Sequence, residues 1–216
     1  KQKMKWGINE VSNYQKKRKK QLNLPKLFLG VVVVGLAFVF SLSVLSDSDK
    51  GQSESVNRQN ENISKEEFVA EITPYARELQ ESYGVLPSII MGQAVLESNF
   101  GQSQLASKYN NLFGIKAYGN QPKVNLETKE YVNEVWITIQ GDFRVYDNWE
   151  ESMRDHTKLF VDGVDWDPNL YEKVLLAKNY KEAAQALQDA GYATDPTYAD
   201  KIIHVIEEYN LNKYDR

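Results

Sequence analysis

Glu97 is the residue of this chain with the clearest chemical potential. It closes the run Gln93-Ala94-Val95-Leu96-Glu97-Ser98-Asn99-Phe100-Gly101. Ile89, Ile90, Gln93, Ala94 and Glu97 recur at helical spacing, which sets Glu97 on or beside a buried face. A carboxyl group there loses hydration, its charged form is disfavoured and its pKa rises. A carboxylic acid that keeps its proton near neutral pH can protonate a glycosidic oxygen. An ordinary last-turn glutamate near solvent has the same local signature, so the run alone does not decide. Glycoside hydrolysis also asks for a second group across the bond. Glu127, Glu130, Glu134 and Asp142 are all available for it, and spacing does not choose among them. The two histidines, His156 and His204, have no ligand-like spacing. With no cysteine in the chain, disulfides and thiolate metal sites are excluded. No metal site and no cofactor is expected.

The elements that must position Glu97 are readable around it. Pro87 suits a first helical position, where its missing N–H costs nothing, and Gly101 with Asn99 before it supplies the stop. Upstream, Ser64-Lys65-Glu66-Glu67 is a capping box. It opens a helix with Phe68, Ile72, Tyr75, Ala76 and Leu79 on one face, ended by Tyr83-Gly84. A short helix is expected over Gln104–Lys108. From Ile115 to Tyr146 strand formers dominate, and Val135, Ile137 and Ile139 alternate with Trp136, Thr138 and Gln140, as in a strand with one buried face. Asn133-Glu134 and Gly141-Asp142 read as turns. Helical patterns resume over Asn148–Val161, Pro168–Ala177 and Lys181–Ala190. A last helix is expected to start at Asp195-Pro196 and run through Tyr209. The fold class is α+β, a helical body with a small antiparallel β-lobe.

Composition and charge divide the 216 residues further. Residues 1–26 carry 9 basic residues and 1 acidic, leaving 17 basic against 29 acidic and a net −12 beyond them. The acidic body argues against nucleic acid, which needs a basic face. Residues 27–46 are free of charge, long enough to cross a bilayer core as a helix. Lys and Arg crowd the N-terminal flank, while Asp47 and Asp49 follow. That asymmetry sets the N-terminus inside and the rest outside. A cleaved signal peptide is the alternative, against which stand the length of the apolar run and the lack of a clear small-x-small site after it. Residues 47–63 are polar and read as a flexible linker. Residues 64–216 form the folded domain. Aromatics make up 12% of the chain, with 13 Tyr, which suits either a sugar-stacking groove or a plain core.

Five blocks in order resemble one family. They are Ala94-Val95-Leu96-Glu97-Ser98-Asn99-Phe100-Gly101, Tyr109-Asn110-Asn111-Leu112-Phe113-Gly114-Ile115-Lys116, Thr128-Lys129-Glu130-Tyr131, Phe143-Arg144-Val145-Tyr146, and the stretch from Ala186 through Gly191-Tyr192-Ala193-Thr194-Asp195-Pro196-Thr197-Tyr198-Ala199. Together they are similar to the peptidoglycan N-acetylglucosaminidases of glycoside hydrolase family 73, found in bacterial autolysins and flagellar-rod hydrolases. The resemblance spans about residues 64–209 and makes 64–216 the catalytic domain. It implies a lysozyme-like fold with a groove between the helical lobe and the β-lobe. It implies an endo-type cut of the β-1,4 bond that leaves N-acetylglucosamine as the new reducing end, with peptidoglycan glycan strands as the partner. Glu97 matches the general acid. Glu130 matches a β-lobe glutamate that holds a water or stabilises the oxocarbenium-like state, a task the substrate's acetamido group can also perform. Asn111, Phe113, Tyr192 and Tyr198 match groove positions, although Asn111 and Phe113 also read as a helix-to-loop packing motif. Asp155 matches an acidic position in the helix after the β-lobe, functional or structural. Asn99-Phe100 replaces a more usual Gly-Trp pair, which points to altered sugar contacts at Phe100. The implied protein is a single-pass enzyme of the bacterial cytoplasmic membrane, its catalytic domain outside, acting in wall remodelling or autolysis. A muramidase or lytic transglycosylase on the same fold, and a non-catalytic wall-binding module, are the alternative readings.

Overall fold

The computed structural model describes residues 63–132 and 135–215. The basic arm, the apolar segment 27–46, nearly all of the linker and the Asn133-Glu134 turn lie outside the described residues. Among the described residues, no helix is long and apolar enough to cross a membrane.

The helical body begins as the capping signal requires. Ser64 is the N-cap of α1 (Lys65–Tyr83), its hydroxyl accepting from the Glu67 amide while the Glu67 carboxylate accepts from the Ser64 amide. Gly84 closes the helix in the left-handed conformation. α2 (Pro87–Ser98) is buried at every position from Pro87 to Val95. A helix that is apolar all round belongs inside a fold, and α2 packs against α1, α6 (Tyr180–Asp189), α7 (Tyr198–Glu208) and the closing 3-10 turn Leu211–Tyr214. Gly92 permits the α2–α7 contact, since a Cβ there would stand 3.0 Å from Cγ1 of Ile206. α3 (Gln104–Tyr109), α4 (Trp149–Asp162) and the short α5 (Glu172–Leu175) complete the helices. Asn148 and Asn179 cap α4 and α6 through their side chains. The last helix starts later than expected. Asp195 instead accepts from the amide and hydroxyl of Thr197, a turn that hands the chain to α7 at Tyr198.

The β-lobe is one antiparallel pair, β1 (Lys123–Val132) and β2 (Val135–Arg144), in continuous register from Lys123–Arg144 to Val132–Val135. Gly141-Asp142 is therefore not a turn. Asp142 is fastened across the ladder by Asn125 and Lys123, and Gly141 is buried where a Cβ would lie 2.8 Å from the Lys116 ammonium. The buried face is real near the body, at Thr128 and Phe143. It fades outward, where Ile137 is 40% exposed, because a two-stranded ribbon has no second layer to cover it.

α2 ends differently from the sequence expectation. Asn99, not Gly101, is the left-handed cap, and Asn99, Phe100 and Gly101 take positive φ in succession (50°, 56° and 74°). The Ser98 hydroxyl stitches this turn, donating to the Ala94 carbonyl and accepting from the Gly101 amide at 2.7 Å. Gly101 lies so tightly against the core that a Cβ would fall 2.8 Å from the Trp149 ring and 3.0 Å from Phe68. Gly101→Ala combines that overlap with an unfavourable φ and is expected to lower unfolding free energy by about 2–4 kcal/mol. Denaturant titration measures it, and a loss under about 0.5 kcal/mol would contradict the tight turn.

Candidate active site

Glu97 lies in the last turn of α2, one residue before its C-terminus. Its side chain keeps partial access to solvent, while the carboxyl is hemmed in by α7 and the segment before it. Burial pushes its pKa up to about 8, against smaller opposing effects from the Tyr198 hydrogen bond and the Lys201 charge. The carbonyl end of the helix dipole also disfavours a negative charge there. The group is therefore a neutral acid at neutral pH with a route to solvent.

Tyr198, the first residue of α7, donates its hydroxyl to Glu97 Oε1 at 2.8 Å. The Gln93 amide, one helical turn before Glu97, donates to the same hydroxyl at 3.0 Å. Burial, followed by the nearby Glu97 charge, holds the Tyr198 phenol well above its usual range, so it stays a donor. Tyr192 stacks on Tyr198 with ring centroids 5.6 Å apart. Behind them His156 is stacked on Phe113 at 3.8 Å and edged by Phe160 and Tyr192. His156 is fully buried without a hydrogen-bond partner, and burial pushes its pKa down to about 3. It is a neutral core ring. His204 is exposed on α7 beside Glu208. Among the described residues no acidic or histidine cluster could hold a metal ion.

Several expected sugar contacts lie inside the protein. Tyr192 and Tyr198 are fully buried. With Tyr192 covering one face of its ring and its hydroxyl bonded to both Gln93 and Glu97, Tyr198 fixes the Glu97 carboxyl from inside the core. Phe113 has its face covered by His156. Phe100 is buried between the edges of Phe68 and Tyr209, with the Lys65 ammonium 4.8 Å over its ring. The Asn99-Phe100 pair therefore changes packing, since no open ring face remains at Phe100. Asn111 spends its side chain on backbone. It donates to the carbonyls of Ile115 and Arg144 and accepts from the Ile115 amide, which ties β2 to the helical body. Asp155 accepts from Arg144 at 2.8 Å and from the Tyr146 hydroxyl at 2.6 Å, a bracket between β2 and α4. Glu130 stands in β1 opposite Ile137; its side chain lies outside what is described. Gln93 carries no chemical signal in the sequence beyond its i, i+4 spacing to Glu97, and the structure bonds it to Tyr198.

A family model described as mannosyl-glycoprotein endo-beta-N-acetylglucosaminidase matches residues 73–211. The chain belongs to this glucosaminidase family, glycoside hydrolase family 73. It is a glycoside hydrolase by that membership. The chain is 43% identical to the exo-glucosaminidase LytG of Bacillus subtilis over 93% of its own length and 70% of that protein's. It is 33% identical to a probable N-acetylmuramidase of Lactococcus lactis subsp. cremoris, over 93% of this chain and 46% of the relative. The catalytic domain of the autolysin Auto from Listeria monocytogenes superposes with a TM-score of 0.65 at 37% identity, covering 73% of this chain and 90% of that one. The α+β architecture with a small antiparallel sheet agrees with the lysozyme-like fold of the glucosaminidase family.

The raised pKa of Glu97 has a stability consequence of definite sign. The folded glucosaminidase holds this proton from the ordinary glutamate value of 4.5 up to about 8, and the unfolded chain does not. The protein therefore loses stability as pH rises through that window. Glu97→Gln removes the loss. It is expected to match the wild type near pH 4 and to exceed it by about 1–3 kcal/mol at pH 8. Melting curves at the two pH values test this, and equal destabilisation at both would contradict it.

Proposed function

We propose that this glucosaminidase cleaves the glycan strands of bacterial peptidoglycan at the β-1,4 bond following N-acetylglucosamine, with Glu97 as the general acid. The observation that carries the reading is a carboxyl group kept neutral by burial, partly open to solvent, and held at Oε1 by a phenol donor. With Oε1 accepting from Tyr198, the acid proton resides on Oε2. Oε2 delivers it to the departing glycosidic oxygen as the carbon–oxygen bond breaks, which relieves the negative charge on the leaving group. The carboxylate left behind is then stabilised by Tyr198 and by the Lys201 charge, the same two influences that oppose its raised pKa. Positive charge on the sugar is met by Glu130 from the ribbon or by the substrate's own acetamido oxygen. Relatives named for peptidoglycan hydrolysis, autolysis and glucosaminidase activity support the substrate class.

A second reading keeps the acid and changes the bond, since three relatives carry the name of a probable N-acetylmuramidase. The site is placed outside the membrane in this proposal. That placement rests on the uncharged segment 27–46, its basic N-terminal flank and the acidic body that follows. Membrane fractionation of cells expressing the full chain, with protease added from outside, tests it. Recovery of the chain in the soluble fraction would contradict it.

Glu97→Gln is expected to lose about 10³-fold or more of the activity on purified peptidoglycan while melting as a folded protein. Wild-type kcat/KM is expected to fall above pH 8, where the acid is lost. Reducing the digest with borohydride and weighing the products fixes the bond. Reduced N-acetylglucosamine ends support the proposal, reduced N-acetylmuramic acid ends support the second reading, and wall binding without new ends would contradict both.

A further inference from the structure

We infer that Gln93 is a positioning residue of the reaction, which directs the acid proton to Glu97 Oε2 by fixing the direction of the Tyr198 hydroxyl. This rests on the reading of Glu97 as general acid. Three groups form one chain: the Gln93 amide donates to Tyr198, and Tyr198 donates to Glu97 Oε1. A phenol has a single proton. Facing a neutral carboxylic acid, it can either donate to Oε1 or turn and accept a proton carried there. An N–H aimed at the phenol oxygen takes the in-plane acceptor direction away from Glu97 and turns the O–H toward Oε1, which disfavours the second choice. The acid proton is left on Oε2, free for transfer.

Packing alone is a poor reason for this side chain. Gln93 is fully buried, and its own Oε1 has no hydrogen-bond partner. The Tyr192 hydroxyl, equally buried, lies close enough to the Gln93 amide to feel it as a donor, yet makes no hydrogen bond of ordinary geometry. An apolar side chain of the same length would avoid that unmet demand. What Gln93 adds over such a side chain is its one hydrogen bond, and that bond ends on the hydroxyl that holds the acid. The other groups acting on Glu97 come from α7, namely Tyr198 and Lys201, and from the segment before it, namely Tyr192.

Without Gln93 the Tyr198 hydroxyl is free to turn. A fraction of molecules then carries the acid proton on Oε1, bonded to Tyr198 and unavailable. That arrangement stabilises the protonated form and weakens donation to the carboxylate, so the alkaline limb moves to higher pH. The test uses Gln93→Leu and the unbranched Gln93→Met, each alone and in the Tyr198→Phe background, with kcat, KM and pH profiles on soluble peptidoglycan fragments. The expected result is a fall in kcat of about tenfold with KM within about twofold, an upward shift of the alkaline limb, and no further change in the Tyr198→Phe background. Equal losses in both backgrounds, or an unshifted limb in a variant that melts like the wild type, would overturn the inference. Glu97→Gln run alongside separates the two claims. If it is inactive while the Gln93 variants behave as wild type, only the role of Gln93 falls; if it is active, the general-acid reading falls.

Discussion

The structure turns on one desolvated carboxyl group at the end of one buried helix. Glu97 is neutral because α2 carries it into the protein, and α2, apolar between Pro87 and Val95 except at Ser88 and Gln93, is buried throughout that span. Around that helix the other elements are consequences. α1, α6 and α7 cover it, Gly92 lets α7 close in, and the Ser98 hydroxyl with three successive left-handed residues turns the chain away directly after the acid. The turn does two jobs: it ends the helix at a fixed point, and it seats Phe100 and Gly101 against Phe68, Tyr209 and Trp149. Glu97 is thereby anchored from both sides of its own backbone.

A neutral buried acid needs neighbours that tolerate it without neutralising its chemistry. Tyr198 gives it a donor that stays protonated, and Lys201, paired with Asp195, contributes a positive charge that opposes the raised pKa. The ring stack of Tyr192, Tyr198, His156 and Phe113 supplies a dry and rigid wall behind these groups. Dry surroundings strengthen every electrostatic contact inside them, which makes the direction of one phenol proton consequential. The β-ribbon is secured separately, through Asn111 at its base and the Asp155 bracket on Arg144 and Tyr146.

Much of this was legible in the sequence, and the misses share a cause. Caps and stops were readable because they depend on a few neighbouring residues: Ser64 with Glu67, Pro87, Gly84 and Asn148 all act as their types dictate. The place of Glu97 on or beside the buried face of its helix is readable from spacing. Asn99 took the capping role expected of Gly101 because Gly101 was needed one step later, under Trp149. Gly141-Asp142 resembled a turn but is held straight by cross-strand partners that no local window contains. Phe100, Phe113, Tyr192 and Tyr198 suggest a groove by residue type, which reports a ring and not what covers its faces, and all four are buried. Gln93 gives no such signal for the complementary reason, since its hydrogen bond runs to a residue far along the chain.

The central claim is that Glu97 is protonated at neutral pH. Labelling the glutamate side-chain carboxyl carbons with carbon-13 and titrating them by NMR, with Glu97→Gln to assign the signal, measures this directly. The account predicts one glutamate signal that stays at its acid position through pH 6 and moves with a midpoint near 8. A Glu97 midpoint in the ordinary range near 4.5 would contradict it.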